Sequence, residues 1–310
     1  MTENTDGAIP AIRKALADLP WDASLPDGVA LRLRWLGQAG FLLETGGLRI
    51  LIDPYLSDSL AEKYRGKQFP HLRLAPAPVA PETLGRIDLY LATHGHGDHL
   101  DPGTAGPIAA LCPGCRFVVP SACAETAIER GIPPSRLTLA DAFSPLEIAG
   151  IGIWPIPAAH EDLSIDGAGH HRFLGYILNV AGLLIYHSGD CAPYPGLKKN
   201  LEPFRVDIGL LPVNGRDETR RAANIPGNFT LDEAIDLAES SDFGCMIGHH
   251  FGMFEFNTID AEAARAKIGN LGLPGISLAE TAVAYEVPMR YYRGGRRFRR
   301  SKFNEENRDE

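Results

Sequence analysis

From residue 29 the chain alternates: Leu31, Leu33 and Trp35 are interleaved with Arg32, Arg34 and Leu36, a period of two that predicts a strand. Apolar runs at residues 41–44 and 49–53 follow, set off by Gly37-Gln38-Ala39-Gly40 and by Gly46-Gly47. Short apolar runs with glycine punctuation predict hairpin-connected strands, so the opening reads as a meander. Further strands are predicted at residues 87–92, 116–119, 146–148, 151–156, 175–180, 183–187, 206–211 and 244–248. Helical patterns fall at residues 10–19, with Pro10 in the first turn, at 102–111, and at 122–130 with Ser121 as cap. Two more run to about residue 240, capped by Thr230, and over residues 260–269. Residues 57–83 are rich in Pro and Arg and carry no period. A loop of that length is usually functional, and it is expected to flank the mouth of a site. No internal repeat shows by period, but strands precede helices twice. That order predicts an α/β protein with two sheets and helices outside both.

Composition narrows the class without deciding it. The chain has 310 residues, 45% hydrophobic and 22% charged, which is ample for a core. A formal net charge of -9 offers no general attraction to nucleic acid or an acidic membrane. The start, Met1-Thr2-Glu3-Asn4-Thr5-Asp6, is acidic and polar where a signal peptide needs a basic start and an apolar core. No apolar run nears the roughly twenty residues of a membrane span, so a cytoplasmic protein is expected. Three segments are expected: 1–28 as an N-terminal helix and link, 29–289 as the main domain, and 290–310 as a charged tail. The tail carries Arg290, Arg293, Arg296, Arg297, Arg299, Arg300 and Lys302 before an acidic end, and reads as solvated or subunit-contacting rather than as a nucleic-acid grip. Of five cysteines, Cys112 and Cys115 have the spacing of a redox or zinc pair, but Pro113-Gly114 between them reads as a turn and no second pair exists.

The chemistry is concentrated in Thr93-His94-Gly95-His96-Gly97-Asp98-His99-Leu100-Asp101, between the strand at 87–92 and the helix at 102–111. Three imidazoles and a carboxylate share one turn, at spacings that let a loop aim some side chains at one cation and others at a neighbour. Other polar residues at predicted strand ends are His160, Asp190 and His250. A lone histidine among these is more often a hydrogen-bonded core or surface residue than a ligand. Seven ligand-type residues at strand ends suit two cations, since strands fix positions and the loops beyond them carry side chains.

These segments resemble the metallo-β-lactamase-fold hydrolases, whose signature His-x-His-x-Asp-His is matched by His94, His96, Asp98 and His99. Trp35-Leu36-Gly37-Gln38-Ala39-Gly40, Leu51-Ile52-Asp53-Pro54, Tyr186-His187-Ser188-Gly189-Asp190 and His249-His250 are similar to the branch containing L-ascorbate-6-phosphate lactonase. Gly95 and Gly97 depart from it, standing where that branch carries polar residues. The resemblance covers about residues 31–258 and implies an αββα sandwich. It also implies that His94, His96 and His160 hold one cation, that Asp98, His99 and His250 hold a second, and that Asp190 bridges. His250 is preferred to His249 because an aromatic residue, Phe251, follows it. Asp53 is expected to support the loop by hydrogen bonding. Asp98 and His249 are the candidate catalytic residues, His249 as a supporting or substrate contact.

The activity expected is hydrolysis of a lactone or related ester by a metal-bound hydroxide, with two divalent ions, zinc first and manganese or iron as alternatives. A phosphorylated sugar lactone is one candidate substrate, and Arg65, Lys67, Arg73 and Arg216 are the cationic residues placed near the mouth. The alternative is a phosphodiesterase or nuclease using the same dinuclear site. A small-molecule substrate is expected, with homo-oligomerisation and without a nucleic-acid or membrane partner.

Overall fold

The computed structural model describes residues 13–15, 20–281 and 283–289. In chain order these comprise β1 (Arg13–Ala15), β2 (Val29–Gly37), β3 (Gly40–Thr45), β4 (Leu48–Ile52), α1 (Ser59–Lys63), β5 (Leu89–Leu91), α2 (Pro102–Leu111), β6 (Arg116–Pro120), α3 (Ala124–Glu129) and β7 (Leu137–Ala140). The second half supplies β8 (Leu146–Ile148), β9 (Ile151–Pro157), β10 (Leu174–Val180), β11 (Leu183–His187), α4 (Leu197–Leu201), β12 (Ile208–Pro212), α5 (Glu218–Ala222), α6 (Leu231–Ser240), β13 (Cys245–His249), α7 (Ala261–Leu271), β14 (Ile276–Leu278) and β15 (Ala284–Pro288). One sheet has eight strands in the order β1-β15-β2-β3-β4-β5-β6-β7, and the other seven in the order β14-β13-β12-β11-β10-β9-β8. Each is mixed: β4 to β7 and β11 to β14 run parallel, while the hairpin strands run antiparallel. The result is the αββα sandwich.

Strand alternation explains the layers. Leu31, Leu33, Trp35, Phe41, Leu43, Ile50, Ile52, Leu89, Leu91 and Val118 point into the core between the sheets, with Ile153, Tyr176, Ile185 and Leu210 of the second sheet. Their neighbours Leu36, Leu42, Leu51, Tyr90, Phe117 and Val119 point the other way, onto Ala105, Ile108 and Ala109 of α2. A strand buried on both faces reads as a nearly continuous apolar run, as β4 to β6 do. The second sheet is covered on its outer side by α6 and α7 through Ala234, Ile235, Ala264 and Ile268. Thr230 and Glu233 close a reciprocal capping box at the start of α6.

Several expectations are corrected. Within the helix expected at residues 10–19, Arg13–Ala15 is a strand paired antiparallel with β15, and the other residues of that stretch below 20 lie outside the described residues. Available sheet edge decided the outcome over local helical pattern. Ser121 does not cap a long helix: Ser121–Cys123 form a 3-10 turn, and α3 begins only at Ala124 with no side-chain cap. The stretch from 57 to 83 is not structureless, since it holds α1 and a 3-10 turn at Pro81–Thr83. Strands β7, β14 and β15 and helices α4 and α5 had no strong period in the sequence. The five cysteines are free and buried, and a turn links Cys115 N–H to the Cys112 carbonyl at 2.9 Å. No helix among the described residues is long and apolar enough to cross a membrane. The basic tail lies outside the described residues.

The corner after β11 sets a tight constraint. Gly189 has φ 61°, and a Cβ there would lie 2.7 Å from the Leu174 carbonyl and 2.8 Å from Thr93 Cβ. Backbone atoms on that side cannot yield. Gly189→Ala is expected to lower stability by at least ~2 kcal/mol, combining left-handed strain with overpacking. Urea unfolding of the two proteins measures it.

Candidate metal centre

Both sheets deliver their polar residues to one end of the sandwich. The loop after β5 brings His94, His96, Asp98 and His99; His160 follows β9, Asp190 follows β11, and His250 follows β13. The seven residues form three overlapping groups: His94, His96 and His160; Asp98, His99 and His250; and His94, His99 and Asp190. Within each group the ligand atoms lie within 4.8 Å of one another. Asp190 joins the groups, with Oδ2 at 3.5 Å from His160 Nε2 and Oδ1 at 3.3 Å from His99 Nε2 and 3.1 Å from His250 Nε2.

The donor set fits divalent cations. His94 Nε2, His99 Nε2 and Asp190 Oδ1 are buried and make no hydrogen bond. Buried polar atoms without partners call for an explanation, and imidazole nitrogens converging with carboxylate oxygens are the ligands that zinc, manganese and iron take. Burial and the neighbouring His99 and His96 rings hold the His94 pKa well below the usual imidazole value, and burial lowers that of His160. Burial opposes charge on His99 too, but Asp190, Asp53 and Asp98 outweigh it and raise its pKa well above the usual value. For Asp190, burial pushes the carboxyl up, yet His250, His99 and His160 hold it well below the ordinary range. Asp98 is lowered in the same way by His99 and His250.

A second layer of contacts fixes these rings. Asp53, at the end of β4, accepts from Thr93 N–H at 2.7 Å, from Thr93 Oγ1 at 2.6 Å and from His99 Nδ1 at 2.8 Å. With Nδ1 held by Asp53, Nε2 is the nitrogen that faces the cluster and would give up its proton to a cation. The variable signature positions are closely approached: a Cβ at Gly97 would meet the end of the Leu60 side chain, Cδ2 at 2.5 Å, and one at Gly95 would meet Cys123 Sγ at 3.3 Å. Helix α1 thus lies over the loop. Asp101 ties it there, accepting from Ser57 Oγ at 2.7 Å, Ser59 Oγ at 2.8 Å and Thr104 Oγ1 at 2.6 Å while capping α2. The sequence reading assigned Asp101 no role, although an Asp before Pro at a helix start is a capping signal.

Gln38 is the other unassigned residue. Its side-chain Nε2 donates to Asp98 Oδ2 at 2.8 Å and lies 3.2 Å from His250 Nε2. Its carbonyl accepts from His250 N–H and from Trp35 Nε1, each at 2.9 Å. His249 lies outside the three groups. Fully buried, its ring stacks on His187 at 5.0 Å and meets the Phe41 edge at 5.4 Å, so it packs in the sandwich interior. His250 instead adopts φ 66°, and this left-handed turn carries the chain out of β13 as the next ring joins the cluster.

Around the mouth the cations expected for an anionic substrate are partly committed. Arg216 pairs with both oxygens of Glu233 at 2.6 and 2.7 Å, and Arg73 donates to the Tyr55 and Ser57 carbonyls while lying 4.8 Å over the Tyr55 ring. Arg65 and Lys67 are exposed. Aromatic contacts are extensive: Phe173 lies 5.0 to 5.6 Å from the His94, His160 and His96 rings. His71 stacks on Tyr64 at 4.1 Å and meets the edges of Phe254 and Phe256 at 5.0 and 4.9 Å.

Two outcomes follow. Asp53→Asn, which removes the charged acceptor for His99, is expected to weaken divalent-cation binding about 10- to 100-fold, read by equilibrium dialysis. In the cation-free protein, buried His94, His160, His187 and His249 stay neutral below the pH at which unfolded histidines take up protons, about 6.5. The unfolded state then binds more protons, so stability falls as pH drops through that value, with His99 opposing. Thermal melts of chelated protein at pH 8 and 5.5 measure this.

Comparison with known proteins agrees with this geometry. Residues 48–251 match a family described as the Beta-lactamase superfamily domain. A UPF0173 metal-dependent hydrolase of Methanosarcina mazei is 28% identical over 244 residues, covering 77% of this chain and 90% of that protein. One from Thermococcus onnurineus is 33% identical over 187 residues, covering 60% and 73%. Among solved structures, an isothiocyanate hydrolase from Delia radicum gut bacteria shares the fold with a TM-score of 0.65 at 16% identity, over 83% of this chain and 99% of that one. The chain belongs to the metallo-β-lactamase superfamily and is one of its metal-dependent hydrolases.

Proposed function

We propose that this protein opens an uncharged lactone or a related ester at a centre of two divalent cations. The observation that carries the reading is Asp190, whose two oxygens face different ligand groups, Oδ2 toward His160 and Oδ1 toward His99 and His250. His94, His96 and His160 would hold one cation and Asp98, His99 and His250 the other, with Asp190 between them. When bound, such cations supply a nucleophilic water at neutral pH and Lewis-acid polarisation of a carbonyl.

The chain's own residues do the rest. Neutral His94 and His160 keep their lone pairs available. The Asp98 contacts within the cluster run through Oδ2, and its side chain is 16% exposed. Asp98, through Oδ1, would be placed to take a proton from the attacking water and return it to the leaving oxygen. Commitment of Arg73 and Arg216 to contacts within the protein supports a substrate without phosphate, and Phe173, beside the His94, His96 and His160 rings, favours an apolar substituent.

The test is a panel assayed with zinc-, manganese- or iron-loaded protein: unphosphorylated lactones, sugar-phosphate lactones, a phosphodiester, and an isothiocyanate, the class named for the Delia radicum neighbour. Chelator-sensitive opening of unphosphorylated lactones is expected, with Asp190→Ala lowering kcat/KM about 100-fold or more. Turnover of the phosphodiester or the isothiocyanate with inert lactones would overturn the substrate assignment.

A further inference from the structure

We propose that Gln38 is a positioning residue for the second cation site, its side-chain amide setting the distance and orientation of Asp98 relative to His250. This rests on the two-cation reading above. Gln38 is fully buried, and its amide nitrogen faces the two ligands, donating to Asp98 Oδ2 at 2.8 Å and lying 3.2 Å from His250 Nε2. The same residue's backbone carbonyl holds the His250 N–H at 2.9 Å. One residue therefore grips His250 at the main chain and reaches its ring, and bonds the carboxylate opposite.

The orientation of the amide is dictated by Asp98, because turning it over would set a carbonyl oxygen against a carboxylate oxygen. The cost of that orientation is visible: Gln38 Oε1 is buried without a hydrogen-bond partner. The backbone is also held at φ 49°, which a side chain bearing a Cβ adopts reluctantly. Two local penalties at one residue are expected where the surrounding structure uses it. The first group has a different neighbour, Thr93 Oγ1, which lies 3.1 Å from His94 Nδ1. Its His94 Nε2 has no hydrogen-bond partner, and its rings are flanked by Phe173. The amide is specific to Asp98 and His250.

A cation entering the second group takes the His250 Nε2 lone pair and displaces the weaker, 3.2 Å contact. The 2.8 Å bond to Asp98 persists, because a carboxylate oxygen has lone pairs for both a cation and a donor. Gln38 thus holds the ligand pair apart before a cation arrives and keeps the carboxylate aimed afterwards. The expected signature is selective: the second equivalent of cation depends on Gln38 and the first does not.

The experiment is a calorimetric titration of cation-free full-length protein with zinc, repeated with cobalt to read coordination by absorption. His250→Ala serves as the reference that lacks the second equivalent. Gln38→Met, of similar length without a donor, is expected to weaken the second equivalent about 10-fold or more and leave the first unchanged. Its cation-free melting temperature should stay near that of the unmodified protein. Gln38→His, which returns an N–H donor, should recover part of the loss. Should Gln38→Met fail to fold, Gln38→Gly carries the same readout, since glycine accepts φ 49° and retains both carbonyl bonds. Equal weakening of both equivalents, no weakening, or no recovery by the histidine variant would overturn the role of the amide. Uptake of a single equivalent by the unmodified protein would instead sink the two-cation reading itself.

Discussion

The centre depends on one buried carboxylate. Asp53 follows β4, adopts φ 45°, and is fully buried together with Thr93 and His99, the residues it bonds. A carboxylate without solvent is costly unless its lone pairs are filled, and here the loop between β5 and α2 fills them. The same loop is anchored from the opposite sheet, where Leu174 N–H donates to the Thr93 carbonyl at 3.0 Å and the Tyr176 hydroxyl to the Ala92 carbonyl at 2.9 Å. Three histidines and an aspartate therefore stand on a segment gripped from both layers of the sandwich. Without that grip, a seven-residue turn containing two glycines would have little reason to hold one conformation.

Why the candidate ligands meet at all follows from the sheets. Strands β4 to β6 and β11 to β13 run parallel within their sheets and end on the same side of the molecule. Just past those ends the chain turns through left-handed or glycine conformations at Asp53, Gly189 and His250. Rigid strands thus supply precision, and their terminal turns supply direction. Long-range packing does the assembly, since residues as far apart as Gln38 and His250 share a hydrogen bond.

Much of this was legible beforehand. The opening meander, α2, β9, β11 and the capped α6 follow from apolar period and cap chemistry, and the seven ligand-type residues from their positions at strand ends. What stayed hidden was tertiary. Arg13–Ala15 became a strand because β15 offered it an edge, which no local pattern records. Arg32 and Arg34, polar on an alternating strand, point to solvent in the simplest reading. They are buried, with Arg32 at 3.0 Å from Glu286, Arg34 at 3.4 Å from Glu44, and both donating to carbonyls of the 20–23 segment. Gln38 sat in a recognisable motif, but its partners come from two distant loops, and only the assembled sandwich brings them within reach.

The order β1-β15-β2 has a consequence for how the molecule comes into being. The strand that covers β2 is made of Ala284–Pro288, which follows every other described strand in the sequence. During synthesis β2 and its hairpin partners emerge well before residues 284–288 and wait with an open edge until those residues have been translated. Completion of the first sheet is therefore a late event, and translation arrested anywhere before β15 leaves a protein whose metal loop has been made but whose outer sheet is unfinished.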